Sequence, residues 1–148
     1  MNLESTRGEY VVSTDRRRLD LERIHDFLRA SYWSPGIPRH VVERAIDNSL
    51  CFGVYRGMEQ VGFARVVTDK ATFAYLADVF ILDGHRRRGL ATWLVEVIRS
   101  HPDLQGLRRF LLATRGAHAL YRRCGFTEVA CPGRLMEISD PRGYDPIA

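Results

Sequence analysis

Three groups of residues in this 148-residue chain have types and spacings that could do chemistry. The first is the run Asp78-Val-Phe-Ile-Leu-Asp-Gly-His-Arg-Arg-Arg-Gly-Leu-Ala91. An apolar run ends at Leu82, a turn follows, and Arg86-x-x-Gly89-x-Ala91 leads into residues of helical period. A helix start presents unpaired N–H groups and the positive end of the peptide dipole. Gly89 and Ala91 are small enough for a phosphate to approach that backbone, and Arg86, Arg87 and Arg88 add positive charge. Together they describe an anion site suited to a diphosphate. An ordinary helix start with a solvated basic cluster has the same pattern, and spacing alone leaves both readings open. Neither GxxxxGK[ST] nor GxGxxG is present.

The second group is Ala119-Leu120-Tyr121-Arg-Arg-Cys-Gly125-Phe126. A tyrosine, with an ordinary pKa of ~10, is protonated at neutral pH and can donate to a developing anion. Ala117, Leu120, Tyr121 and Cys124 share one helical face, so a core aromatic is the competing reading. The third group concerns proton removal and substrate contact. Asp78 is the only carboxylate of residues 72–82; apolar surroundings would raise its pKa and suit it to accept a proton. It could equally be a structural acid paired with Arg65. His118, one turn from Tyr121, is a second candidate base or else a solvated histidine. Tyr32 and Trp33 stand side by side in a proline-bounded loop. They could wall a substrate site by cation–π contact, or Trp33 could pack back onto the core.

These residues need elements to hold them. Residues 9–13 read as a strand, and Leu21, Ile24, Phe27 and Leu28 give a helix over 19–30. Residues 31–38 form a loop with two prolines and a glycine, and Pro38 opens a second helix with Val41, Val42, Ala45 and Ile46 on its apolar stripe. Residues 50–55, 60–68 and 72–82 read as an antiparallel meander. Leu90, Leu94, Val97 and Ile98 mark a third helix ended by His101-Pro102. A strand over 107–114, a short helix over 117–123, strands over 126–130 and 134–138, and a loose tail over 139–148 complete a single expected domain.

Composition narrows the class. Twenty-two basic and 18 acidic residues give a net charge of +4, with 21 arginines against the single Lys70. That excess is mild, which argues against nucleic acid as the partner, although the arginines at 16–18 and 86–88 keep a nucleic-acid-binding module as a rival. No run is long and apolar enough for a membrane span, and no export signal opens the chain, so a cytoplasmic protein with reduced thiols is expected. Cys51, Cys124 and Cys131 and five scattered histidines offer no CxxC, HxxxH or HExxH spacing, and no metal site is expected. Cys124 reads as a small apolar filler rather than a nucleophile.

The two motifs together resemble the GNAT superfamily of N-acetyltransferases. Arg86, Gly89 and Ala91 match its Gln/Arg-x-x-Gly-x-Gly/Ala acetyl-CoA motif, and 120–126 is similar to its Leu-Tyr-x-x-x-Gly-Phe block, about 30 residues later. The element order over 9–138 agrees. The resemblance implies an α+β fold with a mixed, mainly antiparallel sheet of about six or seven strands, splayed around the third helix and flanked by about four helices. It implies acetyl-CoA as co-substrate, its pantetheine arm on the main chain of Val79, Phe80 and Ile81. The diphosphate would lie on amides from Arg87 through Arg88, Gly89, Leu90 and Ala91 to Thr92. Tyr121 corresponds to the family tyrosine that protonates the thiolate. The acceptor pocket falls to the loop carrying Tyr32 and Trp33. Two departures stand out: Tyr75 lies where some members have a glutamate base, and Thr114 where many have asparagine. The base is therefore Asp78, His118 or a water relay. The expected activity is acetyl transfer to a small-molecule or peptide amine by direct attack, with a non-catalytic acyl-CoA sensor as the rival and a homodimer as the default assembly.

Overall fold

The computed structural model describes residues 1–144. Its centre is a six-stranded sheet in sequential order: β1 (Glu4–Arg7), β2 (Tyr10–Ser13), β3 (Leu50–Arg56), β4 (Glu59–Thr68), β5 (Phe73–Ile81) and β6 (Arg109–Leu112). All neighbours are antiparallel except β5 and β6, which are parallel. Four helices flank it: α1 (Leu21–Arg29), α2 (Arg39–Asp47), α3 (Leu90–Ser100) and α4 (His118–Arg123). The α+β architecture expected from the sequence is the one the chain adopts.

The strands of the meander have apolar residues on both faces because helices cover both. On one face Ile24 and Leu28 of α1 and Val42 and Ile46 of α2 pack with Cys51, Phe63 and Phe80. On the other, Leu90, Trp93, Leu94, Val95 and Ile98 of α3 pack with Val12, Phe52, Val54, Ala64 and Val66. Local chemistry sets the ends. The Asp20 carboxylate accepts the Arg23 N–H at 3.1 Å and caps α1, while Pro38 stands at the N-cap of α2 rather than inside it.

Two features of β5 position the site. The ladder with β6 runs only from Phe73↔Arg109 to Leu76↔Leu112, so the strands part beyond it and Ala77–Ile81 has no strand partner on that side. On the β4 side the register slips between Phe63↔Phe80 and Arg65↔Ala77, leaving Asp78 and Val79 opposite Ala64 alone. That is a β-bulge, and Asp78 takes the left-handed φ of +58° it requires.

The structure departs from the sequence reading at both ends. A hairpin strand, β1, precedes the first expected strand. Residues 126–130 and 134–138 are not strands; a single 3₁₀ turn, Pro132–Arg134, lies between them, and 131–140 are exposed throughout. Strand-forming side chains alone do not make a strand, because each main-chain N–H and C=O needs a partner ladder. The expected tail is without helix or strand through residue 144, and residues 145–148 lie outside the described part of the chain.

Phe63 is fully buried beneath Phe80 at a ring-centroid distance of 6.0 Å. Phe63→Ala is expected to cost about 3–5 kcal/mol in a urea melt; a loss below about 1 kcal/mol would show that the α1–α2 face is not an independent part of the core.

Candidate active site

Gly89 is the N-cap of α3, and its φ of +74° places it in the left-handed region that favours glycine. The first capped N–H of the helix is that of Trp93, which donates to the Gly89 carbonyl at 3.1 Å, so the amides of Leu90, Ala91 and Thr92 point out of the helix start without an intrahelical partner. Arg87 also has positive φ, at +65°. The three arginines then separate in role. Arg86 donates from Nε to the Ile81 carbonyl at 2.9 Å and is paired with Asp83, so its guanidinium holds the turn that follows β5. Arg87 lines the groove beside α3, whereas Arg88 does not.

That groove encloses about 410 Å³ between Val79, Phe80 and Ile81 of β5, the start of α3, and Ala117, Leu120 and Tyr121 of the α4 region. It contains the residues that the resemblance assigned to pantetheine and diphosphate, apart from Arg88. Phe27 of α1 stacks on Phe80 at 3.9 Å and forms its apolar floor. Two contributors were not legible in the sequence. Arg7, at the end of β1, brings its guanidinium over the N-cap: a β-carbon on Gly89 would sit 3.7 Å from Nη2. His85, also in the groove, is fixed through Nδ1 to the Tyr10 hydroxyl at 2.9 Å.

A second cleft of about 540 Å³ opens on the other side of Trp33 and Tyr121, lined by Tyr32, Tyr75, Asp78, Thr114 and Arg115 among others. Trp33, Val79, Ala117 and Tyr121 belong to both clefts. Tyr121 is half-buried, its ring edge-on to Phe126 at 5.9 Å. Burial, with smaller contributions from Tyr32 and Cys124, pushes its hydroxyl up to about 12. The phenol therefore stays protonated at and well above neutral pH.

The loop over 31–38 is stiff for reasons beyond its prolines. The Ser31 hydroxyl donates to Leu28 C=O at 2.7 Å and accepts from the Ser34 N–H at 3.1 Å, while buried Ile37 anchors the far end. Trp33 is then pinned across the cleft, its indole N–H donating to Asp78 Oδ1 at 2.9 Å. Arg65 Nε donates to Asp78 Oδ2 at 2.8 Å and Nη1 to Ser49 Oγ at 3.1 Å. Tyr32 meets Trp33 edge-on at 5.1 Å and carries the Arg115 guanidinium 4.0 Å above its ring.

Of the two readings of Asp78 that the sequence left open, these contacts show the one in which it pairs with Arg65. Asp78 is not a carboxylate in apolar surroundings: both its oxygens accept from donors, and its side chain keeps only 9% of its exposure. His118 lines a different cleft, between β6 and residues 126–130, and not the one holding Trp33. The Thr114 hydroxyl accepts the Ala117 N–H at 3.1 Å and caps the approach to α4. Cys124 is buried, its thiol pushed up by desolvation and directed at the Thr92 carbonyl at 3.8 Å, which leaves it inert as a nucleophile.

Comparison with known proteins agrees with this geometry. Residues 19–126 match the model of the acetyltransferase (GNAT) family, and the chain belongs to that family. A Gibberella zeae protein named for acetyltransferase activity, FG08082, is 35% identical over 95% of this chain and 85% of its own. The crystal structure of a GNAT-family protein of Xanthomonas campestris pv. campestris, xcc2953, superposes with a TM-score of 0.89 at 52% identity, covering 92% of this chain and 96% of that one. The glucosamine-6-phosphate N-acetyltransferase of Arabidopsis thaliana shares the fold at a TM-score of 0.62 and 14% identity, over 88% of this chain and 97% of its own.

Asp78→Ala, in a Trp93→Phe background, tests the pinning of Trp33. We expect a loss of roughly 3 kcal/mol from the orphaned Arg65, together with stronger acrylamide quenching of Trp33. Unchanged quenching would show that the loop holds its aromatic without the carboxylate.

Proposed function

We propose that this protein transfers the acetyl group of acetyl-CoA to a primary amine by direct attack, with Tyr121 protonating the departing thiolate. The observation that carries this reading is the position of Tyr121, on the wall shared by the α3 groove and the Trp33 cleft, with a hydroxyl that burial keeps protonated.

The residues present fit acetyl-CoA, which supplies an activated acyl group on a good leaving thiol. On the splayed side of β5, the main chain of Val79, Phe80 and Ile81 offers the ladder positions that β6 does not use. The amides of Leu90, Ala91 and Thr92, with Arg7 and Arg87 beside them, supply donors and positive charge for the diphosphate. Trp33, Tyr32, Tyr75 and Arg115 bound the side from which the amine approaches. Attack builds negative charge on the carbonyl oxygen, then on sulfur. A β5 main-chain N–H can meet the first and the Tyr121 O–H the second. Holding amine and acyl group together across the shared wall supplies much of the rate.

With Asp78 engaged by Arg65 and Trp33 and His118 facing another cleft, solvent carries away the amine proton. The charge around the acceptor cleft also bears on the amine. Asp78 is neutralised by Arg65, and Arg115 makes no ion pair among the described residues. An acceptor with a carboxylate or phosphate near its amine suits this cleft better than a polycation.

Thiol release from acetyl-CoA, measured over amino acids, amino-sugar phosphates, peptides and polyamines, tests the reading. Tyr121→Phe is expected to lower kcat by roughly 10²-fold or more while acetyl-CoA affinity changes little. In the wild type, kcat is expected not to fall as pH rises to the ordinary tyrosine pKa of ~10, because a raised pKa extends the protonated range upward. Acetyl-CoA binding without turnover on any amine would instead make the protein an acyl-CoA sensor.

In the donor groove, Arg7→Ala is expected to weaken acetyl-CoA binding about 10-fold, the loss of one charge-assisted contact, with kcat at saturation retained. Isothermal titration reads the first and thiol release the second. An unchanged affinity would remove β1 from the binding site.

A further inference from the structure

The cleft on the far side of Trp33 is walled mainly by rings. Tyr32 and Trp33 come from the loop over 31–38, half-buried Tyr75 from β5 and Tyr121 from α4. Val79, Ala113 and Ala117 also line it. Its polar side chains are mostly engaged within the protein. Asp78 accepts from Arg65 through one oxygen and from Trp33 through the other, which uses the indole N–H as well. The Thr114 hydroxyl accepts the Ala117 N–H.

Arg115 is the exception. It lies in the connection between β6 and α4, is exposed, and makes no ion pair among the described residues. Its guanidinium stands 4.0 Å from the centroid of the Tyr32 ring, a cation–π contact that holds the head of a long side chain at the cleft. That face of Tyr32 could otherwise have attracted a substrate ammonium; with a cation already there, it is closed to a second. A guanidinium held in this way pairs a carboxylate through two parallel hydrogen bonds. The rings around it suit a hydrophobic body. A hydroxyl-rich amino sugar would leave polar groups unmatched among them. A polyamine would meet Arg115 and, in Asp78, a carboxylate that is already paired.

We propose that this cleft binds an α-amino acid with an apolar or aromatic side chain, its carboxylate paired with Arg115 and its body among Tyr32, Trp33 and Tyr75. The amine is then left toward Tyr121 and the wall shared with the α3 groove. Binding stands on the cleft alone; that the bound amine is acetylated rests on the acetyl-transfer reading. In that reaction the amine nitrogen bonds the acetyl carbon as the C–S bond breaks. One proton passes from nitrogen to solvent and one from Tyr121 to sulfur, giving the N-acetylamino acid and CoA.

Two measurements on the full chain separate the pairing from the chemistry. The first is acetylation of L-phenylalanine against L-phenylalanine amide. The amide's amine is the less basic and so the more available at neutral pH, which makes a preference for the acid a property of the site. We expect kcat/KM to favour the acid by roughly 10-fold or more, and Arg115→Gln to bring the two within about 2-fold. The second is calorimetric titration of L-phenylalanine into protein saturated with CoA, which cannot react. There Arg115→Gln is expected to weaken binding about 10-fold. Arg115 does not line the α3 groove, so CoA affinity in the same samples reports whether the variant is folded. Should it fail to fold, the wild-type ranking of acid against amide decides alone. Equal rates for acid and amide, a preference that survives Arg115→Gln, or turnover of L-serine, spermidine or glucosamine 6-phosphate as fast as that of L-phenylalanine overturns the proposal and leaves acetyl transfer standing. Arg115-dependent binding of L-phenylalanine with no amine acetylated upholds the proposal and removes the acetyl-transfer reading. Absence of both binding and turnover of L-phenylalanine overturns it.

Discussion

The separation of β5 from β6 is the constraint on which the rest of the molecule depends. The two strands are laddered for four residue pairs, ending at Leu76↔Leu112, and then part. A parallel strand that keeps its neighbour uses up its main-chain groups; one that leaves it exposes a row of donors and acceptors in the middle of a protein. Such a row is costly unless something pairs with it. Here the apolar stack of Phe27 on Phe80 keeps one side dry, and the start of α3 faces the other. The fold thus maintains an extended, unpaired main chain beside a helix N-terminus, a combination that suits a ligand with a polar arm and a charged end.

The bulge at Asp78 makes this arrangement tolerable. A non-glycine residue at φ +58° carries strain of about 1–3 kcal/mol, less for aspartate, which visits that region more readily than most residues. The carboxylate offsets it by pairing with Arg65 and with the Trp33 indole, contacts made at a point where the strand is bent out of register. One side chain therefore ties three elements together: the bulged strand, its neighbour β4 and the loop between α1 and α2. Accepting from both a guanidinium and an indole, the carboxylate fixes where Trp33 stands.

How far the sequence revealed this depended on range. The helix-start motif and the Tyr121 block are local, so short segments showed them, but spacing left their roles open and only the resemblance assigned Gly89, Ala91 and Tyr121 to a site; apolar periodicity marked the helices, with the first and last bounded to within two residues. The missed hairpin strand is Glu4-Ser-Thr-Arg7, polar and largely exposed, with none of the alternation that marks a half-buried strand. Arg7 was lost with it. Asp78 reaches Arg65 and Trp33 across 13 and 45 residues, contacts that no local pattern encodes. The two last expected strands failed in the opposite sense: their side chains have strand character, but a strand exists only where a ladder receives it.

The sharing of Trp33, Val79, Ala117 and Tyr121 between two clefts bears on how specificity could evolve in this fold. Tyr121 and Val79 belong to elements fixed by the core, since Val79 follows the bulge and Tyr121 packs on Phe126 at the edge of the main cluster. Tyr32 and Trp33 belong to a loop held by a few hydrogen bonds and one buried isoleucine. Substitutions in that loop can reshape the cleft lined by Tyr32 and Trp33 while most of the groove beside α3 keeps its form. Trp33 is the exception because it borders both. Its indole is where a change in that loop would be felt in both clefts, so the Asp78 contact couples the two as well as positioning one wall.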